Sequence, residues 1–288
     1  MKEGKITCPF CHHACEMAEG ETGFCRTRGV REGRLVSLSY GLLTSVALDP
    51  IEKKPLYHFY LGSRILSVGS FGCNLACSFC QNHTISQAGE GDLCFAEGER
   101  GLRAYHLPPE ELLDLALDTK EKHGNIGVAF TYNEPLMNYE YVRDSAKLLQ
   151  EAGLKTVLVT NGELAPAPFR KLLPLIDALN IDLKGFAPEF YQWVGGDLEE
   201  VKENIRAAYK AGCHVEATTL VIPGKNDSPE EMEQEAAWLG ELSPEIPLHL
   251  SRYFPRFRVE IPPTPRETLE GLQAIARRYL RHVYLGNI

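Results

Sequence analysis

No apolar run in the 288 residues approaches the roughly 18 that a membrane-spanning helix needs, so no membrane segment is expected. The start, MKEGKITCPFCHHAC, lacks the apolar core of a secretory signal, which predicts a cytoplasmic protein. Excess positive charge is missing as well. Lys and Arg number 30 against 39 Asp and Glu, a formal charge of -9, so a dedicated nucleic-acid-binding domain is not indicated. There is no solenoid-type repeat and no low-complexity tract. The 44% hydrophobic and 24% charged fractions suit one large globular domain, or one domain with a smaller appendage.

Cysteine is where the composition departs from the ordinary. Nine are present, an odd count, and seven fall in two tight groups: Cys8, Cys11, Cys15 and Cys25, then Cys73, Cys77 and Cys80. Cys94 and Cys213 stand alone. A secreted disulfide scaffold is short and even-numbered, whereas clustered cysteines in a cytoplasmic chain signal metal. Both groups are expected to hold one.

The pattern along the chain divides at about residue 60. Residues 1–60 read as a Cys-rich module with two short alternating apolar stretches, 34–40 and 42–48, separated by Gly41 and expected to pair as strands. The stretch DPIEKKP, with its two prolines, marks a boundary. From residue 61 to 288 short apolar runs recur at 65–68, 126–130, 156–159, 178–181, 215–222, 246–250 and 283–285. Helical start signals lie between them. Ser228-Pro229-Glu230-Glu231 and Thr264-Pro265-Arg266-Glu267 each combine a capping box with proline at the first helical position, and Asp197 with Glu200 offers a similar start. Leu269, Leu272, Ile275 and Leu280 fall roughly on one face of the last helix. Repeated βα units predict an α/β fold with a parallel sheet, either doubly wound or rolled into a barrel.

The first strand runs into Gly69-Ser70-Phe71-Gly72 and then Cys73-x3-Cys77-x2-Cys80. Thiolates this close on one loop can wrap a single iron–sulfur cluster, and the glycines let the backbone approach it. Three ligands for four irons leave one iron open to chelate a small molecule through an amine and a carboxylate. The competing reading is structural zinc, which wants a fourth ligand; His83 or Cys94 would have to supply it.

The loop stands in GCNLACSFCQN, and the chain also carries DPIEKKPLYHFY, FTYNEP, VTNG, IDLKGF, VIPGKND and a closing YLGN. With these motifs, which span nearly its whole length, the sequence resembles the radical S-adenosylmethionine (SAM) superfamily. Within it the resemblance is to pyruvate formate-lyase-activating enzyme-like proteins, in particular the AmmeMemoRadiSam system. It implies a partial TIM-type (β/α)6 barrel over residues 61–288, preceded by the Cys-rich metal-binding module. It further implies a [4Fe–4S] cluster on Cys73, Cys77 and Cys80 that reductively cleaves SAM to methionine and a 5′-deoxyadenosyl radical, which takes hydrogen from a substrate. The motifs do not identify that substrate, and a protein is one option. An electron donor such as a flavodoxin or ferredoxin is implied as a partner. No catalytic side chain beyond the cluster ligands is assigned. A glycyl-radical activase acting on a partner protein, and a non-catalytic zinc-binding interaction scaffold, are the alternative functions.

The same resemblance places SAM contacts on strand ends. Glu134 in Thr131-Tyr132-Asn133-Glu134-Pro135 stands where the superfamily binds the SAM amino group, with Tyr132-Asn133 replacing the usual glycines. Thr160, Asn161, Asp182 and Lys184 are placed around the ribose and carboxylate, Ile222 against adenine, and His249 facing the site; Phe79 is the aromatic before the last cysteine. Taken alone, Glu134 could equally cap a turn, Asp182 and Lys184 form a structural pair, and His249 be a satisfied core histidine. Arg252, Arg256 and Arg258, interleaved with aromatics, read as a solvated face. Cys8-x2-Cys11-x3-Cys15-x9-Cys25 supplies four thiolates, enough for tetrahedral zinc or a closed iron–sulfur cluster. Structural zinc is the first expectation there, since the segment must fold with little core of its own.

Overall fold

A computed structural model describes residues 4–96 and 99–288. The N-terminal segment makes a hairpin of β1 (Arg28–Arg31) and β2 (Arg34–Ser37). Glu32 and Gly33 close it, both at positive φ, which is the two-residue turn that matches strand twist. The expected pairing of residues 34–40 with 42–48 therefore does not form. Instead β3 (Ser45–Pro50) runs antiparallel to β4 (Arg64–Gly69) and joins the main sheet. It covers an edge of β4 that would otherwise be unpaired. The barrel's sheet thus begins inside the segment expected to belong to the module, of which residues 1–3 lie outside the described residues.

Beyond β4 the chain alternates helix and strand. In order come α1 (Pro109–His123), β5 (Asn125–Phe130), α2 (Tyr139–Glu151), β6 (Lys155–Thr160), α3 (Pro166–Leu172) and β7 (Ala178–Asp182). Then follow α4 (Pro188–Val194), α5 (Leu198–Lys210), β8 (His214–Val221), α6 (Pro229–Leu242), β9 (Leu248–Arg252), α7 (Arg266–Ala276) and β10 (Val283–Gly286). Strands β4 to β10 are parallel and lie side by side in chain order, with antiparallel β3 at the edge beside β4. Each expected apolar run became one of them. Sequential parallel strands with helical crossovers form an unclosed barrel, one strand longer than the expected six.

Local signals explain most helix starts. Ser228 accepts the Glu231 N–H at 3.1 Å and Asp197 accepts the N–H groups of Glu199 and Glu200, as their positions predict. Thr264 departs from its expected capping role. It is buried, and its hydroxyl donates to the Val221 carbonyl at 2.6 Å, so α7 starts after Pro265 without a side-chain cap. Among the described residues no helix is long and apolar enough to cross a membrane.

The N-terminal module docks through one buried cation. Arg28 donates to both oxygens of Glu140 on α2, at 3.0 and 2.7 Å, and its guanidinium lies 3.5 Å from the Phe10 ring centre. The Ala165 N–H donates to the Phe10 carbonyl at 2.8 Å, tying the module to the loop after β6.

Glu235 on α6 carries a pH-dependent strain. It is buried against the Thr219 hydroxyl, which also reaches the Leu183 carbonyl at 2.9 Å. The Thr219 hydroxyl donates to Glu235 Oε1, but burial outweighs that bond and pushes the carboxyl up to about 8 from 4.5. Between these values the unfolded chain has released a proton that the folded chain keeps, so stability falls as pH rises through the window. Glu235→Gln stays neutral and is expected to flatten that slope, gaining on wild type in thermal unfolding from about pH 5 to 8. Parallel curves would mean that Glu235 is ionised in the fold.

Candidate active site

β4 ends at Gly69 and leads into the loop of Cys73, Cys77 and Cys80, and all three face one cavity of about 340 Å³. The loop is held from several sides. Asn133 accepts the Ser70 N–H at 2.9 Å and donates through Nδ2 to the Phe71 and Gly72 carbonyls at 2.9 and 3.1 Å. Asn74, fully buried, donates to the Glu163 carbonyl at 2.6 Å and accepts from Asn161 Nδ2 at 2.9 Å. Gly72 has φ of 78°, and a Cβ there would collide with the Thr27 side chain and the Cys25 carbonyl. Only glycine lets the loop pass the N-terminal segment at that point.

Burial pushes the Cys73 and Cys77 thiols up, Cys77 to about 12 despite the nearby Lys184 ammonium. Such thiols are neutral when bare, and a metal that binds them as thiolates displaces their protons. Cys73 Sγ already accepts the Leu75 N–H at 3.3 Å. The two side chains expected as a fourth zinc ligand lie off the cavity. His83 stacks on Phe257 with ring centres 4.3 Å apart, and neither it nor Cys94 lines the cavity. Three sulfurs on one loop, with no fourth thiol or imidazole among the described residues lining the cavity, fit a cluster with one open iron.

The strand ends supply the rest of the wall. Glu134 is buried, and its carboxylate accepts from the Thr160 hydroxyl at 2.7 Å, the Asn161 N–H at 2.8 Å and the Leu136 N–H at 3.0 Å. Burial still pushes it up to about 7. At the end of β7 the Lys184 ammonium lies 2.7 Å from Asp182 Oδ2. Burial pulls that ammonium down, but Asp182 and the Cys77 and Cys80 sulfurs more than offset it and hold it above the usual lysine range. Tyr132 takes a left-handed φ of 73°, and its hydroxyl donates to Asp49 Oδ2 at 2.7 Å.

Of the residues expected around SAM, Phe79, Asn133, Glu134, Thr160, Asn161, Asp182 and Lys184 line the cavity. Ile222 and His249 do not, which corrects both. Ile222 lies past the end of β8, its N–H taken by Asn226 Oδ1 at 2.7 Å; Leu220 and Val159 provide the apolar wall instead. His249 is drawn towards the start of β8, where its Nε2 lies 2.6 Å from Glu216 Oε2 and Tyr57 packs edge-on. Burial pushes the Glu216 carboxyl up, but bonds from His214, His249 and two N–H groups bring it down to about 2. A fully buried carboxylate claims the nearest imidazole.

Several residues at the cavity went unnoticed in the sequence. The turn Ile51–Lys53 brings exposed Lys53 and buried Lys54 to the cavity, and Lys54 lies 2.9 Å from Asp49. Ser251 and Asn287 line it from the far strands. The double lysine in DPIEKKP was the available signal, read there as a boundary. The Arg252–Arg258 stretch is not simply a solvated face either: the Arg258 N–H donates to the Ser78 carbonyl at 2.9 Å, laying that loop over the cysteine loop.

The four N-terminal cysteines also converge. Burial, then the sulfurs of Cys25, Cys8 and Cys15, push the Cys11 thiol up to about 12. Each sulfur has a donor: the N–H groups of Phe10 and His13 serve Cys8 and Cys11, that of Phe24 reaches Cys15 at 3.4 Å, and the Thr27 hydroxyl reaches Cys25 at 3.3 Å. Four sulfurs with one donor apiece suit thiolates around a metal.

Residues 67–236 match the Radical SAM superfamily, and the chain belongs to it; it is a radical SAM enzyme. An uncharacterized protein of Methanocaldococcus jannaschii is 37% identical over all of this chain and 83% of its own length. The benzylsuccinate synthase activating enzyme of Thauera aromatica is 24% identical, over 84% of this chain and 68% of that protein. The pyruvate formate-lyase-activating enzyme of Clostridium pasteurianum is 27% identical, over 57% of this chain and 65% of that one. Among solved structures, a radical SAM methyltransferase from Sphaerobacter thermophilus shares the fold with a TM-score of 0.59 at 20% identity, covering 79% of this chain and 67% of that one.

Proposed function

We propose that Cys73, Cys77 and Cys80 hold a [4Fe–4S] cluster and that the adjoining cavity binds SAM, which the enzyme cleaves reductively to abstract hydrogen from a substrate. The supporting observation is the set of three cysteines on one loop, sharing a cavity with a buried Asp–Lys pair and Glu134. When bound, cluster and SAM supply the one-electron cleavage of a carbon–sulfur bond that yields a 5′-deoxyadenosyl radical. The chain's own residues bind and orient. Lys184, held charged by Asp182, pairs with the methionine carboxylate. Glu134, fixed by three donors, faces the ammonium, and Thr160 and Asn161 take the ribose. Phe79, Val159 and Leu220 pack on adenine. The loop carrying Phe257 and Arg258 shields the cysteine loop from water.

Similarity to two activating enzymes supports a partner protein as the substrate, with Lys53, Ser251 and Asn287 at the cavity to receive it. A one-electron donor such as a flavodoxin or ferredoxin completes the reaction. Cys8, Cys11, Cys15 and Cys25 hold a second metal centre. Four thiolates with one donor apiece suit either tetrahedral zinc or a closed iron–sulfur cluster there.

Lys184→Met tests the SAM site. Losing one charge-assisted contact of about 1.5–3 kcal/mol is expected to weaken SAM binding roughly 10- to 150-fold in equilibrium dialysis with cluster-loaded protein. Lys225→Met, which removes an ammonium stacked on Trp193 outside the cavity, is expected to change nothing. Equal affinity in wild type and Lys184→Met would place SAM elsewhere.

A further inference from the structure

We infer that His12, Glu163 and Glu200 form a cation site, separate from both cysteine groups, that takes a divalent first-row ion of the Mn2+ or Zn2+ type. Their ligand atoms all lie within 4.8 Å of one another, although the residues come from three places: the N-terminal knuckle, the loop after β6 and the first turn of α5.

The unpartnered atoms point to the ligand. The Glu163 side chain is 0% exposed. Its Oε1 accepts the Asp197 N–H at 3.0 Å, but Oε2 has no hydrogen-bond partner. His12 Nδ1 and Glu200 Oε1 are likewise buried without one. His12 Nδ1 lies 2.7 Å from Glu163 Oε2, at ion-pair distance, without meeting hydrogen-bond geometry. On its other side the ring is oriented by the Gly195 carbonyl, 3.1 Å from Nε2. An Nε2–H donated there leaves Nδ1 with a bare lone pair facing a carboxylate. A metal-ligating histidine is held in this way, its second nitrogen donating to a backbone carbonyl.

Two carboxylates with buried oxygens crowd the imidazole, and burial first, then Glu163, push the Glu200 carboxyl up to about 7. A divalent ion between them would relieve that crowding. One imidazole and two carboxylates suit Mn2+, Fe2+ or Zn2+, with water filling the remaining positions. The ion would clamp the module to the barrel beside the active site. The Glu163 carbonyl holds Asn74 of the cysteine loop, and His13 Nε2 lies 2.8 Å from the Asn74 carbonyl.

Mn2+ is the probe, because it prefers oxygen and nitrogen over thiolate and can be read by EPR while oxidised [4Fe–4S] clusters stay silent. Titrating oxidised, cluster-loaded full-length protein is expected to quench the free six-line Mn2+ signal up to about one equivalent per chain, with Zn2+ displacing it. Glu200→Gln is expected to weaken Mn2+ binding at least about 30-fold while leaving iron content unchanged. It is the preferred variant because Glu163, fully buried, also anchors the start of α5. No Mn2+ retained by wild type, or the same affinity in Glu200→Gln, would overturn the site and reduce His12 and Glu163 to an ion pair. Neither result bears on the cluster or on SAM cleavage.

Discussion

Replacing any one of Cys73, Cys77 and Cys80 with alanine is expected to remove about four irons per chain from anaerobically loaded protein. In the proposed site each thiolate would be the sole protein ligand of its iron, so losing one is expected to release the cluster. Cys94→Ala and Cys213→Ala are expected to keep a full complement. Cys213 is buried and donates its S–H to the Ile176 carbonyl at 3.3 Å, while Cys94 sits in a short strand pair away from the cavity. Iron loss from Cys94→Ala equal to that from Cys77→Ala would indicate a closed, four-ligand site. That outcome would defeat the open iron on which SAM chelation depends.

Gly72→Ala is expected to have the second-largest effect, though it removes no ligand. The left-handed backbone alone costs alanine about 1–2 kcal/mol. The added Cβ also meets the Cys25 carbonyl, which is backbone and cannot rotate away. The loop and the N-terminal module must then part, at a total of at least about 3 kcal/mol. Both cysteine groups feel the change, because Gly72 adjoins Cys73 and the clashing carbonyl belongs to Cys25. Lower iron retention after gel filtration, with a drop in thermal midpoint, is the expected reading. Gly62→Ala serves as a control: it has a similar φ of 82° with nothing near its Cβ, and should cost only the backbone term. Equal loss in both variants would show that conformation, not the contact with Cys25, dominates at Gly72.

Features carried by neighbouring residues were legible in the sequence. The three-cysteine loop spans eight residues, so spacing alone shows that its thiols can converge. Apolar runs report buried strands for the same reason, and Asp197 and Ser228 cap the helices beside them. What escaped depends on distant partners. β3 looked like half of a local hairpin because alternation does not say which neighbour a strand takes, and β4 offered an open edge. His249 leaves two readings open in the sequence, a site residue or a satisfied core histidine, and its partner Glu216 lies on the preceding strand. Glu163 carried no signal at all. It directly follows Thr160-Asn161-Gly162, and only folding brings His12 beside it.

Cleavage of SAM at the Cys73–Cys80 loop, as proposed, is tested most directly by mixing cluster-loaded protein, SAM and a strong one-electron reductant without oxygen and following 5′-deoxyadenosine by chromatography. Wild type is expected to form it slowly even without substrate, and Cys77→Ala to form none. SAM recovered intact from reduced, fully loaded wild type, or equal deoxyadenosine from Cys77→Ala, would contradict the account.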